Sequence, residues 1–392
     1  MKPRSTRVYA VIVVVLLIAI AITTRFNIKG RFEGLFLLKG VQGRLIEVKD
    51  DLYLGDGTRL IYGFDFNSIH KLFNRPKTHK PDEAYLEYKW DESDGSGYIK
   101  NIMPDGRELD TCFSRFDAED SENTHGLFVG GGLPDEVHGD NLQAIDETGM
   151  AYYDGRRWYH IWCNANEGLA SGDPLKDDIY GPSNWKFMGS RVLHQSSWSL
   201  ALTSSHEAVV DGAPLRIDRY AYFTAGETYF LLSIWIKNIG TTPASYCYVY
   251  GDEPWLGDFG SSKGNVGWVS DRLVSYEEFI DPDKYSFAGY FDFGNSAVSP
   301  DHNFTMAADF LEWLGDTKPD LVYFSNGPTD YPPKDGTKVP LASNSRFLGL
   351  QWGPRVLKPG ESDNLRLAVG MATFNPKTGS LIKPEIRLDS GH

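Results

Sequence analysis

Short apolar runs separated by turn residues cover most of the chain after residue 145. Runs of about four to ten residues, rich in aliphatic and aromatic side chains, alternate with Gly, Pro, Asn and Asp, which is the pattern of strands joined by tight turns. The predicted strands are Met150–Tyr153, Trp158–Trp162, Ser197–Thr203, Leu215–Phe223, Tyr229–Lys237, Ser245–Tyr250, Gly267–Val269, Leu321–Phe324, Phe347–Trp352 and Asn364–Ala372. This pattern predicts an all-β fold, built as one large antiparallel β-sandwich.

Helical periodicity is scarce. It predicts one helix over Thr305–Leu314 and a second, shorter one over Ser275–Ile280. Residues 32–75 are expected to form strands around a turn at Asp56-Gly57, and the polar residues 76–125 are expected to form long loops. The segment Asp91–Gly97 lacks the alternating acids of a calcium loop, so a turn is expected there.

The N-terminus has the pattern of a membrane-targeting segment. Residues 1–7 form a short basic tail, and residues 8–24 are an uncharged, mostly aliphatic stretch that predicts a transmembrane signal-anchor helix. The alternative is a cleaved signal peptide, because Ala19-Ile20-Ala21 fits a small-residue cleavage site. Either interpretation places residues 32–392 outside the cytoplasm, in the periplasm or at the cell surface, and the anchor makes the lipid bilayer a partner.

The chain beyond the targeting segment is strongly acidic. Six of the 39 basic residues precede residue 32, whereas all 53 acidic residues follow it, which leaves 33 basic groups and a net charge of −20. Such a surface repels phosphate backbones, so no nucleic-acid partner is expected. The three cysteines allow at most one disulfide, and their spacing fits no zinc site. No cofactor and no metal are expected.

The densest polar and aromatic segment runs from Tyr248 to Gly260. It holds the carboxylates Asp252, Glu253 and Asp258 among Tyr250, Trp255 and several glycines. Aromatic faces suit the C–H surface of a sugar ring, and carboxylates accept hydrogen bonds from its hydroxyls. A pair of carboxylates could also hydrolyse a glycosidic bond. The competing interpretation is an acidic turn that Trp255 anchors to the core.

Three motifs occur in the order found in one sugar-binding superfamily. They are Gly130-Gly131-Gly132-Leu133-Pro134 followed by His138-Gly139, Asn238-Ile239-Gly240 at the end of a strand, and Leu357-Lys358-Pro359-Gly360-Glu361. Residues 125–372 thereby resemble the galactose mutarotase-like (aldose epimerase) superfamily of β-sandwiches. The resemblance implies a supersandwich fold, with 32–125 as N-terminal strands and loops and 126–392 as the core, and it implies that His138 contacts a sugar.

The family's acid and base do not carry over. No His follows the Asn238 motif, where the resemblance would place a general acid, and Gln351 occupies the position of the general-base Glu. Because Gln cannot take a proton, mutarotation is not expected. The predicted catalytic residues are therefore Asp252, Glu253, Asp258 and His138.

Six further residues are candidates for contacting the substrate. Arg191 and Arg355 could clamp a carboxylated sugar, although each could equally pair with a surface acid. The full predicted binding set is Trp255, Tyr250, Gln351, Arg355, Arg191 and Asp140.

These observations predict a membrane-anchored, extracytoplasmic protein that binds or modifies a glycan. If it is an enzyme, a glycoside hydrolase or lyase is expected rather than a mutarotase. The alternative is a non-catalytic structural or envelope-assembly protein of the cell surface. The residues alone leave the choice between catalysis and binding open.

Overall fold

A computed structural model describes residues 51–53, 59–61, 83–113, 125–130, 149–162, 165–171, 185–257, 264–270, 272–293, 305–327, 330–341 and 346–387. The chain divides into two compact units, Met1–Leu72 and Phe73–His392. In the first unit, β1 (Asp51–Tyr53) pairs with β2 (Arg59–Ile61). All other strands, numbered in chain order, belong to the second unit. The predicted domain boundaries remain predictions.

Three antiparallel sheets build the second unit. The ten-stranded sheet consists, in spatial order, of β15 (Arg272–Val274), β14 (Asn265–Val269), β17 (Phe287–Asp292), β18 (Ala308–Trp313), β21 (Ser362–Asn375), β12 (Tyr229–Asn238), β11 (Ala213–Thr224), β10 (Ser199–Val210) and β9 (Lys186–Gln195), with β22 (Ser380–Ile382) paired to β21.

The two smaller sheets have five strands each. One is β16 (Glu278–Ile280), β19 (Leu321–Ser325), β20 (Phe347–Leu357), β13 (Ala244–Asp252) and β8 (Ala165–Ala170), and it is called the β13 sheet below. The other is β3 (Tyr85–Asp91), β4 (Ser96–Ile102), β5 (Glu108–Phe113), β6 (Met150–Tyr153) and β7 (Trp158–Trp162), and it is called the β3–β7 sheet.

Both five-stranded sheets pack on the same face of the ten-stranded sheet. In an antiparallel pair, residues directly opposite each other share a face, and residues two apart along a strand share it too. Arg219 and Phe223 of β11 therefore share one face, and Arg219 contacts Glu167 of the β13 sheet. Phe223 contacts Phe113 of the β3–β7 sheet, with ring centroids 5.9 Å apart. The core lies between these layers.

A polar contact also ties the β3–β7 sheet to the ten-stranded sheet. The Asn101 side chain donates to the carbonyls of Thr224 and Glu227 at 2.8 and 2.9 Å, and its oxygen accepts from Gly226 N at 2.7 Å. One buried amide thus satisfies the backbone of the β11–β12 turn, which fixes the relative position of the two sheets.

The β3–β4 hairpin also covers part of β9, the last strand of the ten-stranded sheet. The Trp90 indole donates to Ser190 Oγ at 3.1 Å. The Glu92 carboxylate accepts the Val192 backbone N–H at 2.7 Å. Side chains of the hairpin therefore contact this edge strand at two positions, Ser190 and Val192.

The prediction of an all-β fold is confirmed for the described residues, in which every regular element is a strand. No helix in this part of the chain is long and apolar enough to cross a bilayer. The expected signal-anchor at residues 8–24 lies outside it. Cys112 and Cys247 are buried thiols outside any disulfide, and Cys163 lies outside the described residues.

Both predicted helices are wrong. Residues Ala308–Trp313 form β18, and Glu278–Ile280 form β16. The central strand β18 lies between β17 and β21 and is buried on both faces, so its apolar residues do not alternate with polar ones. Without alternation, a buried strand is hard to distinguish from a helix by periodicity.

The prediction of long loops over residues 76–125 is also wrong in its central part. Residues Tyr85–Asp91, Ser96–Ile102 and Glu108–Phe113 form β3 to β5. Most of their polar side chains lie on the face directed away from the ten-stranded sheet, which gives these strands a hydrophilic composition. Asp91–Gly97 forms the expected turn, where Asp91 Oδ1 accepts from Ser93 N at 2.8 Å.

Candidate functional site

The acidic segment Gly251–Gly257 begins at the end of β13 and leaves the sheet as an extended, partly exposed turn. Glu253 and Trp255 are half-buried, whereas Asp252, Pro254, Leu256 and Gly257 are buried. The Trp255 indole lies close enough to the Glu253 carboxyl to lower the pKa of that carboxyl. The turn thus presents an indole and a carboxyl side by side at the surface.

Burial and hydrogen bonding act on Glu253 in opposite directions. Burial raises the pKa of this carboxyl, and the hydrogen bond from Trp255 lowers it by a smaller amount, so that the net pKa lies above the ordinary value. A carboxyl with a raised pKa is poorly solvated, and its remaining lone pairs favour donors supplied by a ligand.

Two strands hold the end of this turn in place. Gly257 pairs with His160 of β7 through two backbone hydrogen bonds of 2.7 and 3.1 Å. Leu256 exchanges two more with the Asn265 side chain of β14, at 3.0 and 3.2 Å. Gly257 has a φ of +123°, and a Cβ there would lie 2.6 Å from Asp292 Oδ2, so only glycine fits.

Asp292 completes this anchor from β17. Its Oδ1 accepts from Asn265 Nδ2 at 3.1 Å, and its Oδ2 accepts from the backbone N–H and the hydroxyl of Thr305, both at 2.8 Å. The buried carboxylate is therefore well satisfied. Its hydrogen bonds fix the position of the Asp292 side chain that lies against Gly257.

Two buried carboxyls lie close together where the turn leaves β13. Asp252 lies on the inner face of β13, and its side chain hydrogen-bonds Asp309 of β18 across the space between the sheets. Asp309 Oδ1 also accepts from Tyr290 N at 2.5 Å. Burial raises the pKa of Asp309 to about 7, although the hydrogen bonds from Tyr290 N and Asp252 oppose this rise. An ionised carboxylate can only accept hydrogen bonds. One of the two carboxyls, Asp252 or Asp309, must therefore carry a proton that it donates to the other.

A second polar contact crosses the same space between the sheets. The Arg219 guanidinium forms a two-point ion pair with Glu167, donates twice to the Leu127 carbonyl and lies 4.3 Å from the centre of the Phe128 ring. The Tyr248 hydroxyl donates to Glu167 and accepts from Arg219 at 3.0 Å. Every group in this contact is fully buried.

Gln351 and Tyr250 occupy opposite faces of the β13 sheet. Val249 is opposite Gln351 and Tyr250 is opposite Leu350, so Gln351 faces away from Tyr250 and Asp252. The Gln351 side chain accepts from the Tyr331 hydroxyl and donates to the Gly353 carbonyl at 3.3 Å. Gln351 therefore does not share a face with Tyr250 and Asp252, because a one-residue offset along a strand reverses the face. Its expected place in a cleft with the rest of the acidic turn remains a prediction.

The predicted arginines lie elsewhere. Arg355 forms ion pairs with Asp320 at 3.0 Å and Asp363 at 2.6 Å, which uses its guanidinium in surface contacts. Arg191 is exposed on the edge strand β9. His138, Asp140 and Asp258 lie outside the described residues, so their expected roles remain predictions. Of the predicted set, Tyr250 and Asp252 are buried on the inner face of β13, whereas Glu253 and Trp255 are half-buried on the turn that follows it.

Sequence reasoning missed the residues that hold the acidic turn in place. Asp309 was placed on a predicted helix, and Tyr290, Asn265 and Asp292 were not considered. A usable signal was present at Asp309, because this residue interrupts the apolar run over residues 306–311. A charged residue within such a run is buried and therefore needs a partner. Within the described residues, no group of three or more acidic, His or Cys side chains is placed to hold a metal ion.

Distant similarity to several solved structures is found. The chain is similar to a putative aldose 1-epimerase from Klebsiella pneumoniae subsp. pneumoniae MGH 78578, with 10% identity over 74% of this chain and 84% of that one and a TM-score of 0.36. It is similar to a galactose mutarotase-like protein from Clostridium acetobutylicum, with 9% identity, coverages of 74% and 98% and a TM-score of 0.35. It is also similar to a putative aldose 1-epimerase from Escherichia coli K12, with 10% identity over 73% of this chain and 99% of that one and a TM-score of 0.31.

These proteins come from the superfamily that the sequence motifs resemble, and the similarity is distant. No family model and no curated protein matches the chain. The function proposed below therefore rests on the residues of this chain.

Proposed function

We propose that this protein binds a carbohydrate at the turn Gly251–Gly257, and that residues 8–24 anchor it in a membrane with the remaining chain outside the cytoplasm. The observation that carries the binding proposal is the pairing of the Trp255 indole with the half-buried Glu253 carboxyl on a turn held by β7 and β14. An aromatic face beside a hydrogen-bonding carboxyl suits a sugar ring, which is apolar on its faces and polar at its edge.

Binding is favoured over hydrolysis at this turn. Glycoside hydrolysis places two carboxyls about 5–10 Å apart on either side of the scissile bond. Asp252 is instead fully buried and in hydrogen-bond contact with Asp309, whereas Glu253 is partly exposed. We therefore propose that Asp252 holds the turn and that Glu253 and Trp255 contact the sugar.

The test is a glycan array followed by titration calorimetry on the best ligand. Trp255→Ala removes the stacking surface and Glu253→Gln removes the charged acceptor, which should weaken binding by about 1.5–3 kcal/mol, or about 10- to 150-fold. Trp198→Ala is the matched control, because this indole is 52% exposed between β9 and β10. Unchanged affinity in both Trp255→Ala and Glu253→Gln would reject this site, and a blank array would favour a structural surface protein.

The anchor is tested separately by fractionation. Full-length protein should sediment with membranes and require detergent, whereas a chain that starts at Phe32 should not. Release of a mature protein that begins after Ala21 would replace the anchor with a cleaved signal peptide.

A further inference from the structure

His206 is a buried histidine between the ten-stranded sheet and residues 125–130, which we call the covering segment. On β10 it follows Ser204 by two residues, and Ser204 pairs with Arg219, whose side chain points toward the five-stranded sheets. His206 therefore lies on the inner face of the ten-stranded sheet. Its Nε2 lies 2.7 Å from the His125 carbonyl oxygen, and because a carbonyl only accepts, Nε2 carries the proton of the neutral ring.

Three aromatic rings and one stretch of backbone enclose this imidazole. The ring centroids of Phe128, Trp185 and Phe187 lie 5.1, 5.9 and 5.5 Å from that of His206. The Gly126 backbone lies against the ring edge, since a Cβ added there would come within 2.5 Å of His206 Cε1 and 2.7 Å of its Nε2. Nδ1 is buried and has no hydrogen-bond partner in the part of the chain that the structure describes. The site therefore suits a neutral imidazole and offers no acceptor for a second ring proton.

The charges around His206 also oppose its protonation. The titratable or charged neighbours are His125 of the covering segment, Arg219 of β11, Glu167 of β8 and Tyr248 of β13, whereas β9 contributes the Phe187 ring. Arg219 pairs with Glu167, so the two charges neutralise each other. Burial lowers the pKa of His206 from 6.5 to about 4; the hydrogen bond to the His125 carbonyl raises it, and the charges of Arg219 and His125 lower it further.

The two ends of the covering segment are held differently. The end at residue 130 belongs to the β3–β7 sheet, because Val129 forms a bridge with Phe113 of β5. The end at residue 125 is held by single hydrogen bonds from separate elements: Gly126 N to the Asp94 carbonyl at 2.9 Å, Leu127 N to Ser204 Oγ at 3.0 Å, and His206 Nε2 to the His125 carbonyl at 2.7 Å. Beyond it, the Leu127 carbonyl accepts from Arg219. His125 is half-buried, so movement starts most easily at this end.

We propose that His206 makes this contact acid-sensitive: when the ring takes up a second proton, the covering segment detaches from the ten-stranded sheet at its residue 125 end, while the sheets stay folded. The protonated ring keeps its Nε2–H donor, so the bond to His125 is not what fails. The cause is the new Nδ1–H, a charged donor that needs an acceptor. Water can supply one only after Gly126 has moved off the ring. This proposal does not depend on sugar binding.

The direction of the pH effect follows from the pKa of the enclosed and the exposed ring. Between about 4 and 6.5, an exposed ring binds a proton that the enclosed ring does not. The equilibrium therefore shifts toward the detached state as the pH falls through this window, by at most about tenfold per pH unit, and levels off below it. Asp309, with a pKa of about 7, contributes the opposite pH dependence to global stability. A local measurement is therefore needed.

Hydrogen exchange of the full-length protein in detergent, read by mass spectrometry, provides this local measurement. Exchange rates are divided by the intrinsic rate at each pH, which gives a protection factor for each peptide. The protection factor of the Gly126 and Leu127 amides should be constant above about pH 7 and should fall about tenfold or more between about pH 6.5 and pH 4.5. Peptides from β20 and β21 should change by less than about twofold.

His206→Gln tests the titrating group. Glutamine keeps an N–H donor for the His125 carbonyl but does not titrate, so the protection factor should no longer depend on pH. The matched controls are His194→Gln, a half-buried histidine of β9 whose Nε2 lies 2.9 Å from Ser199 Oγ, and His125→Gln, which keeps the accepting carbonyl. Both should retain the pH dependence of the wild type.

A second measurement keeps the test valid if His206→Gln does not fold. The exchange rate of a histidine Cε1 hydrogen titrates with its ring, and in the wild type that of His206 should titrate at about pH 4. Titration above about pH 6 would show that the ring is not enclosed. Constant protection of the covering segment down to about pH 4, or an unchanged pH profile in His206→Gln, would reject the proposal. Simultaneous loss of protection in β20 and β21 would mean global unfolding and would reject it as well.

Discussion

Two polar contacts cross the space between the β13 sheet and the ten-stranded sheet, and they balance charge in different ways. Arg219 meets Glu167, so a buried cation neutralises a buried anion, and their remaining donors and acceptors are used by Leu127 and Tyr248. Asp252 meets Asp309, so two groups of the same sign face each other and a proton must neutralise one. The stability of the Arg219–Glu167 contact depends on both charged partners being present, whereas the stability of the Asp252–Asp309 contact also depends on pH.

The largest expected effect comes from breaking the Arg219–Glu167 pair. Arg219→Met leaves the Glu167 carboxylate buried without its cation and should lower the free energy of unfolding by about 3–5 kcal/mol. Chemical denaturation of the chain from Phe32 onward measures this. The double variant Arg219→Met/Glu167→Met should recover most of the loss, because a packed apolar pair does not carry the cost of a lone buried charge. A single-variant loss below about 1 kcal/mol would contradict the assignment.

The second effect is the pH dependence of the carboxyl pair. The pKa of Asp309 is raised from 3.8 to about 7, so between these values the folded state keeps a proton that the unfolded state loses. Stability should therefore fall as pH rises through this window, by at most about 1.4 kcal/mol per pH unit, and should level off above it. The titratable groups near the pair are Tyr290, which interacts electrostatically with both carboxyls, and Arg346, which interacts with Tyr290.

Asp309→Asn is the variant that isolates this effect. It keeps the shape and the hydrogen-bonding capacity of the protonated acid but does not titrate. Its stability relative to the wild type should increase from pH 4 to pH 7, as measured by denaturant unfolding at each pH. An equal pH slope in both proteins would show that the pair does not share a proton.

The smallest expected effects on stability concern Tyr248 and Tyr250, two neighbouring tyrosines on the inner face of β13. The Tyr248 hydroxyl donates to the Glu167 carboxylate, so Tyr248→Phe should cost about 1.5–3 kcal/mol. The Tyr250 hydroxyl is buried, and no hydrogen-bond partner is found for it within the described part of the chain. Tyr250→Phe should therefore be neutral or slightly stabilising in the same denaturation assay. A larger loss of unfolding free energy in Tyr250→Phe than in Tyr248→Phe would contradict this prediction.

The strands could be predicted well where apolar and polar residues follow a short repeat. Met150–Tyr153 and Trp158–Trp162 were predicted with the bounds that the structure has, and the acidic turn after β13 was placed correctly. The pattern failed at β18, where both faces are buried and alternation disappears. It also failed at β3 to β5, whose outward polar face was interpreted as loop.

The partners in the site could not be predicted because they come from distant strands. Asp252 and Asp309 are brought together by two facing sheets, and no local pattern encodes this distance. The face occupied by Gln351 depends on a register difference of one residue, which only the pairing of β13 with β20 determines. By contrast, the aromatic and acidic composition of the turn was visible directly in the sequence.

The β3–β4 hairpin that contacts β9 also has a consequence for association between molecules. A free edge strand presents unpaired N–H and C=O groups to which a strand of another molecule can add. Glu92 occupies the Val192 N–H, and Trp90 lies against Ser190 on the same strand. A carboxylate in place of a pairing strand adds negative charge at the edge. A strand of another molecule therefore meets an occupied N–H and a carboxylate at this part of β9, which disfavours edge-to-edge pairing there.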